Sequence, residues 1–254
     1  MARRLPWRRR IGPRGLRGEA ATVESGAGAE ENGHPDDDRA GADGDEVAQE
    51  QLERRRLALA EVRQFGDPVL KSRASEVTDF GPELTAEAER MIALMHEAMG
   101  IGLAATQLGV MRRMLVFQAG PDAAPRALVN PELEWVSDDL VTAEEGCLSL
   151  PDVIVDVERP LHARLSGVDT EGRVMRLEAS GLEARVLQHE LDHLDGVLIL
   201  DRTPRKQRRA AMRALREGGH FDPGMLERGG GDDGEAAEAE SGSEAGEPAD
   251  AQRS

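Results

Sequence analysis

The sequence predicts an α+β fold with mainly antiparallel strands. A helical pattern comes first, a group of short β-like runs follows, and two more helical patterns end the ordered part, so strands do not alternate with helices. The runs are bounded by Gly and Pro turns, as in meanders. The β-like runs are residues 114–118, 127–129, 133–136, 153–158, 162–168 and 174–179, with turns at 120–121, 130–131 and 171–172.

The first helical pattern begins at Leu84-Thr85 and ends at Gly100. Its apolar residues recur at helical spacing and define one face. They are Ala88, Met91, Ile92, Met95 and Met99. His96 lies off this face and is expected in solvent, whereas the Met-rich stripe is interpreted as core.

The second helical pattern follows residue 180. Ser180 with Glu183 has the spacing of a capping box, and Gly196 can end the helix. An apolar stripe runs along one side. It consists of Leu187, Leu191 and Leu194.

The third helical pattern covers residues 204–217, with Pro204 in its first turn. It is strongly basic. The cations are Arg205, Lys206, Arg208, Arg209, Arg213 and Arg216. A solvated amphipathic helix and a surface that binds a polyanion are both consistent with this composition.

Composition divides the 254 residues into a central domain and two tails. We predict a disordered extension at 1–55, a catalytic domain at 56–222 and a disordered acidic tail at 223–254, because segments 19–48 and 229–254 have almost no large apolar residues. Residues 1–50 carry eight Arg against eleven acids and residues 229–254 one Arg against eight. The net charge of −17 therefore leaves −7 for the middle, and general nucleic-acid binding is not expected.

A single cysteine, Cys147, excludes an intrachain disulfide and fits a reducing compartment. The Arg-rich segment 1–17 is not followed by an apolar run, so a secretory signal is not expected, although an organelle-targeting role stays open. No stretch approaches the ~18 apolar residues of a membrane span. We therefore expect a cytoplasmic protein without a membrane segment.

The second helix carries the motif QHELDH at residues 188–193. His189 and His193 are four residues apart, so both imidazoles can reach one cation from the same side of the helix. Glu190 lies on the same rim, near a bound metal without being obliged to ligate it. The motif predicts a metal site that needs a further ligand.

The third ligand is not fixed by this motif. A metalloprotease of the common type would place a third His six residues after His193, where the chain has Ile199. Glu217 is a weak downstream candidate. Cys147 follows a glycine between two β-like runs, and one Cys with two His leaves the fourth tetrahedral position to water.

Three segments taken together are specific to one protein family. They are GIGLAATQ at 100–107, EGCLS at 145–149 and QHELDH at 188–193. They occur in the order and approximate spacing of the bacterial peptide deformylases. The chain strongly resembles this family from about residue 62 to about residue 217, some 60 per cent of its length. The resemblance implies antiparallel β-sheets packed around a central metal-binding helix, with an N-terminal helix and a C-terminal helix.

The resemblance also implies a metal-dependent hydrolase that removes the formyl group from the N-terminal methionine of nascent chains. Its metal ligands would be Cys147, His189 and His193, with a water in the fourth position. The ion would be one divalent metal, Fe²⁺ first, with Zn²⁺, Ni²⁺ or Co²⁺ as alternatives. Glu190 would accept the proton of the water and deliver it to the leaving amine.

Three further roles are implied by the resemblance. The side-chain amide of Gln107 and the backbone N–H of Leu148 would stabilise the oxyanion of the tetrahedral intermediate. Gly102, which lacks a Cβ, would let the substrate backbone lie against its loop. The basic C-terminal helix would offer a contact with the ribosome; no membrane and no sequence-specific nucleic acid is expected as a partner.

Three other hypotheses fit parts of the sequence. A zinc endopeptidase shares the helical motif but gives Cys147 no task. A cysteine hydrolase using Cys147 with His189 leaves His193 unexplained. A non-catalytic metal-holding or ribosome-binding module of the same fold would not need Glu190 or Gln107.

Overall fold

The computed structural model describes residues 37–228, with side chains from 47 to 226. The helices are α1 Asp37–Glu61, α2 Pro82–Glu97, α3 Leu182–Leu194, α4 Ile199–Arg202, α5 Arg205–Glu217 and α6 Gly224–Arg228. The strands are β1 Gly102–Ala104, β2 Met114–Phe117, β3 Arg126–Val136, β4 Leu140–Cys147, β5 Leu150–Pro160, β6 His162–Val168 and β7 Val174–Ser180. Short 3₁₀ turns lie at Pro68–Lys71 and Ala105–Leu108.

The strands form two antiparallel sheets. Five strands pair in the order β1-β2-β3-β6-β7, and β4 with β5 forms a separate hairpin. This arrangement confirms the predicted α+β class. Helix α3 lies between the two sheets and contacts strands of both, so it is buried on nearly every side.

Three apolar clusters hold these layers together. The first joins α2 to β1 and β2, the second joins the five-stranded sheet to α3, and the third joins β5 to α4 and α5. Leu187 and Leu194 of the predicted stripe are fully buried in the second cluster. Because α3 belongs to this core, its polar residues are held in fixed positions.

Glycine is required where α3 ends. Gly196 has φ +74°, and a Cβ there would lie 2.7 Å from the backbone carbonyl carbon of Lys71. The residue therefore both allows the left-handed turn and lets the Pro68–Lys71 turn approach closely.

Several local predictions were wrong. α3 begins after Gly181, which has φ 59°, and no side-chain cap is present, so Ser180 is not its N-cap. β3 continues through the expected turn at Asn130-Pro131 as a bulge, because the Asn130 side chain bonds the Val77 N–H at 2.8 Å and C=O at 2.9 Å. Strands β1 and β4 were not predicted, and Met99 is 69% exposed instead of packing with the stripe of α2.

The predicted boundaries of the two tails also differ from the ends of the observed helices. α1 extends across residue 55 into the segment predicted to be disordered. Its exposed side carries intrahelical ion pairs, Arg54–Glu50 at 2.6 Å and Arg56–Glu53 at 2.7 Å, and near its end Ala58 is buried in the first apolar cluster with Leu59 packed against it. α6 lies beyond residue 222. The predictions for residues 1–36 and 229–254 fall outside the described residues, and the domain limits stay predictions.

Candidate metal centre

Three donor side chains meet between α3 and the β4–β5 hairpin. The ligand atoms of Cys147, His189 and His193 all lie within 4.8 Å of one another. The Cys147 Sγ is 3.2 Å from His193 Nε2, and the two imidazole rings are 5.0 Å apart at their centroids. One thiolate and two imidazoles at this spacing fit a tetrahedral cation with one open position.

Local structure explains why these three meet. His189 and His193 lie one turn apart on α3, as the motif predicted. Cys147 is the last residue of β4, and the hairpin turns back immediately after it, which points this end of the hairpin at α3.

A buried carboxylate orients the first histidine. Glu145 Oε2 lies 3.0 Å from His189 Nδ1, which leaves His189 Nε2 for a metal. Arg159 binds both Glu145 oxygens, at 2.7 and 2.9 Å, and Arg185 binds Oε1 at 2.7 Å. Burial alone would raise the pKa of Glu145, but hydrogen bonds from His189 and Arg159 outweigh it and lower the pKa to about 2.

The network continues behind the helix. Arg159 Nη1 also donates to Asp192 at 2.9 Å, and Asp192 accepts from Arg202 at 2.5 Å. Asp192 belongs to the QHELDH motif, yet it faces away from the donor atoms and ties α3 to β5 and α4. Paired charges of this kind offset the cost of their burial.

Glu190 has different surroundings. It is buried, and its Oε2 has no hydrogen-bond partner within the described part of the chain. Burial raises the pKa of Glu190 to about 7, against the opposing charge of His189. Gly102 lies directly over it: a Cβ on Gly102 would be 2.3 Å from Glu190 Oε1.

The pKa values of the two histidines shift in opposite directions. Burial, with the nearby His189, lowers the pKa of His193 well below its usual value. Burial also opposes charge on His189, but hydrogen bonds with Cys147 and Glu145 raise its pKa well above the usual value.

Gln107 lies beside Cys147 in a fixed orientation. Its Oε1 accepts the Ala104 N–H at 2.9 Å, which turns Nε2 towards Ser149 Oγ at 3.2 Å and Cys147 Sγ at 3.8 Å. Leu148 follows Cys147 in the same turn. The amide of Gln107 and the backbone of Leu148 thus border the cluster from two sides.

A cleft of about 530 Å³ opens over the cluster. Its apolar walls include Ile101, Leu148 and Leu182, and Met99 extends from the end of α2. Gly102 lies at the cleft floor beside Glu190.

Six of the seven predicted site residues line this cleft, and the seventh, His193, lies next to Cys147. Glu217, the weak alternative ligand, is exposed on α5, and Ile199 is buried in the third apolar cluster. Arg159, Arg185 and Asp192 were not predicted from the sequence, and Glu145 had no predicted role. An acid next to the Gly-Cys pair was the one available signal for Glu145.

The donor set and the buried carboxylate beside it are those of a metal-dependent hydrolase, with Cys147, His189 and His193 as the candidate ligands. Glu190 Oε2 and His193 Nδ1 are buried without a hydrogen-bond partner among the side chains described from 47 to 226, and the donor types suit a divalent cation.

Comparisons with known proteins give the family. A sequence model of the polypeptide deformylases matches residues 59–209. Peptide deformylase 1 of Corynebacterium glutamicum is 46% identical over 168 residues, which cover 65% of this chain and 99% of that protein. The peptide deformylase of Acidothermus cellulolyticus is 45% identical over 161 residues, covering 63% and 88%.

Solved structures agree. The peptide deformylase of Thermotoga maritima has a TM-score of 0.55 at 44% identity and covers 56% of this chain and 96% of its own. The Synechococcus elongatus enzyme, solved with actinonin, has a TM-score of 0.59 at 40% identity and covers 63% and 88%.

The chain belongs to the polypeptide deformylase family. It is a metal-dependent hydrolase that removes the N-formyl group from the N-terminal methionine of newly synthesised proteins and releases formate.

Proposed function

We propose that Cys147, His189 and His193 hold one divalent ion, Fe²⁺ in the native enzyme, and that Zn²⁺, Ni²⁺ or Co²⁺ can replace it. The observation that carries this assignment is the grouping of the three ligand atoms within 4.8 Å. A cation held there supplies Lewis acidity and lowers the pKa of a bound water from ~16 towards ~7. The Glu145–His189 bond at 3.0 Å supports His189 as a ligand through Nε2.

Glu190 is the general base and then the general acid in this proposal. Its carboxylate is buried, and the pKa of about 7 suits a group that takes and returns a proton near neutral pH. The Oε2 atom without a partner within the described chain is the one that exchanges the proton.

Gln107 and Leu148 stabilise the oxyanion that develops on the formyl carbonyl. The Gln107 amide is preorganised, because its oxygen is already held by Ala104 and its nitrogen faces the Cys147 side of the cleft. The Leu148 N–H belongs to the tight turn after Cys147, so a short, fixed segment supplies it.

Gly102 has two tasks in the proposal. It admits the substrate backbone to the cleft floor, and it leaves room for the Glu190 carboxylate, which a Cβ would meet at 2.3 Å. The second task was not anticipated from the sequence.

The substrates are N-formylmethionyl nascent peptides, and we propose the cytoplasm as the site of action, which the single cysteine supports. Among the described residues no helix is long and apolar enough to cross a membrane. Sequence-specific nucleic acid is not proposed as a partner.

A contact with the ribosome through α5 is a further part of the proposal. Arg205, Arg209 and Arg213 have no acidic partner among the side chains described from 47 to 226, and α5 buries only Ala211 completely. Such a face suits a phosphate backbone. Replacing the three arginines by Gln should abolish co-sedimentation with ribosomes while formate release continues; unchanged co-sedimentation would dismiss the contact.

The main experiment is formate release from a formyl-methionyl tripeptide by anaerobically purified protein, with metal analysis on the same sample. We expect turnover with about one ion per chain and loss of both ion and turnover in Cys147→Ala. A Cys147→Ala protein that keeps its ion and its turnover would remove Cys147 from the ligand set.

A further inference from the structure

A bulge in β5 lies beside the candidate metal centre. β4 and β5 pair regularly up to Gly146 with Ile154, and the next pair is Cys147 with Leu150. Residues 151–153 therefore have no partner on β4. Asp152, in the middle, has φ 60°, a left-handed conformation that costs a non-glycine residue free energy and needs support from its surroundings. All three residues line the substrate cleft.

The chain after α5 returns to this bulge and provides the support. The Phe221 N–H donates to the Asp152 carbonyl at 3.0 Å, and the Ile154 N–H donates to the Phe221 carbonyl at 2.8 Å. These bonds make a short parallel bridge between Val153 and Phe221. Phe221 thus supplies, on the outer edge of β5, the backbone pairing that the bulge lacks on the side of β4.

The side chain of Phe221 anchors the bridge. It is 3% exposed and packs in the third apolar cluster, which also contains Leu150 and Val153 from the two ends of the bulge. The preceding residue, His220, lines the cleft itself. Both lie outside the segment 59–209 that the family model matches.

We propose that Phe221 is a positioning residue for the substrate cleft: by holding residues 151–153 through Val153, it sets the wall against which the formyl-methionyl peptide binds. The proposal deepens the proposed function, because it concerns the same cleft. It assigns Phe221 an effect on peptide affinity and none on the chemical step, since its backbone bonds and bridge reach residues 152–154 of the cleft wall.

The test uses the full chain with Phe221→Ala, Phe221→Leu and the control Leu165→Ala. Leu165 is completely buried on β6 in the second cluster, away from the cleft, so its truncation destabilises the fold without touching the bulge. Kinetics with formyl-Met-Ala-Ser are measured well below the melting temperature of every variant. Calorimetric binding of the product peptide Met-Ala-Ser gives a second readout that needs no turnover.

For Phe221→Ala we expect KM and the calorimetric Kd to rise about tenfold or more, with kcat and metal content nearly unchanged, because uniform binding is lost. Phe221→Leu should restore most of the affinity. Leu165→Ala should lower Tm and leave both constants unchanged.

Unchanged KM and Kd in Phe221→Ala, with only Tm reduced as in Leu165→Ala, would overturn the proposal and leave Phe221 a purely stabilising residue. A fall in kcat or in metal content at constant KM would also overturn it, since the residue would then act on Cys147. No formate release by the unmodified, metal-loaded chain would contradict the proposed function instead, and the calorimetric constants would still decide the positioning role.

Discussion

Glu145 and Glu190 are two carboxylates at one metal centre with opposite surroundings. They are equally buried, at 6% and 4% exposure. Glu145 is surrounded by Arg159, Arg185 and His189, whereas one oxygen of Glu190 has no partner within the described residues. The pKa values separate accordingly, to about 2 and about 7. Burial alone does not decide the role of a carboxylate; the partners supplied by neighbouring elements, here α3 and β5, do.

Removing the exchangeable proton site should have the largest effect. Glu190→Gln keeps the shape of the side chain but cannot act as a base, so kcat should fall by about 10²–10⁴-fold with metal content unchanged. Formate release and metal analysis measure both. Glu183→Gln, on the first turn of the same helix, is the matched control and should stay active. A fully active Glu190→Gln would show that Glu190 has no acid–base role, so the two carboxylates would not differ in function.

Removing Arg159, one of the partners of Glu145, should make the surroundings of Glu145 more like those of Glu190. Arg159→Met leaves Glu145 and Asp192 buried without their shared cation, which should cost about 3–5 kcal/mol of unfolding free energy. Denaturant titration measures this. Arg164→Met, which removes an exposed Arg paired with Glu178, should change stability by less than about 1 kcal/mol. Equal losses of unfolding free energy in the two variants would mean that the buried ion pairs stabilise the fold no more than an exposed one.

Neutralising Glu145 tests its effect on the metal ligand. Glu145→Gln weakens the hydrogen bond that orients His189, so metal affinity should fall by about 10–100-fold. Competition with a chelator gives the Kd. Glu144→Gln, on the exposed neighbouring residue, serves as the control, and an unchanged Kd for Glu145→Gln would assign Glu145 to stability alone.

The smallest effect is on the pH dependence of stability in the metal-free protein. The pKa of Glu145 is lowered by folding, so its stabilisation is present above the unfolded pKa of ~4.5 and is lost as pH falls towards about 2. The pKa of Glu190 is raised, so its contribution is present below ~4.5 and is lost as pH rises through about 7. The free energy of unfolding in urea is measured between these pH limits. Glu190→Gln should remove its pH dependence between ~4.5 and about 7, and Glu145→Gln its pH dependence between about 2 and ~4.5. Identical profiles of unfolding free energy against pH for both variants would contradict the opposite directions of the two pKa shifts.

The sequence predicted those parts of the site that depend on local spacing. His189 and His193 follow from helical geometry, whereas Cys147 was one candidate beside Glu217 until the resemblance to the family implied it as the third ligand. The ion pairs of Arg159 could not be predicted, because they join three elements distant in sequence and no periodicity records them. Asn130 was misassigned for the same reason: Asn-Pro is a local turn signal, and its actual partner, Val77, is 53 residues away.

The fold was predicted to a similar extent. The order of elements identified the α+β class; α2 and α3 were found by their apolar faces and α5 by its basic composition, whereas α1 was not predicted. Strand β1 was missed because Gly-Leu-Ala carries no strand pattern; it is a strand because β2 pairs with it and α3 covers it. The start of α3 shows that local capping signals also yield to the geometry of the preceding strand, here β7.

The division of the three donors between a helix and a hairpin has a kinetic consequence. Cys147 and His193 are 46 residues apart, whereas the two histidines come from a single turn of α3. The histidine pair is complete as soon as α3 folds, but the thiolate arrives only when the hairpin docks. An ion held by all three donors would lose the thiolate when the hairpin separates from α3, without global unfolding, so its lifetime would report the opening of one edge of the molecule.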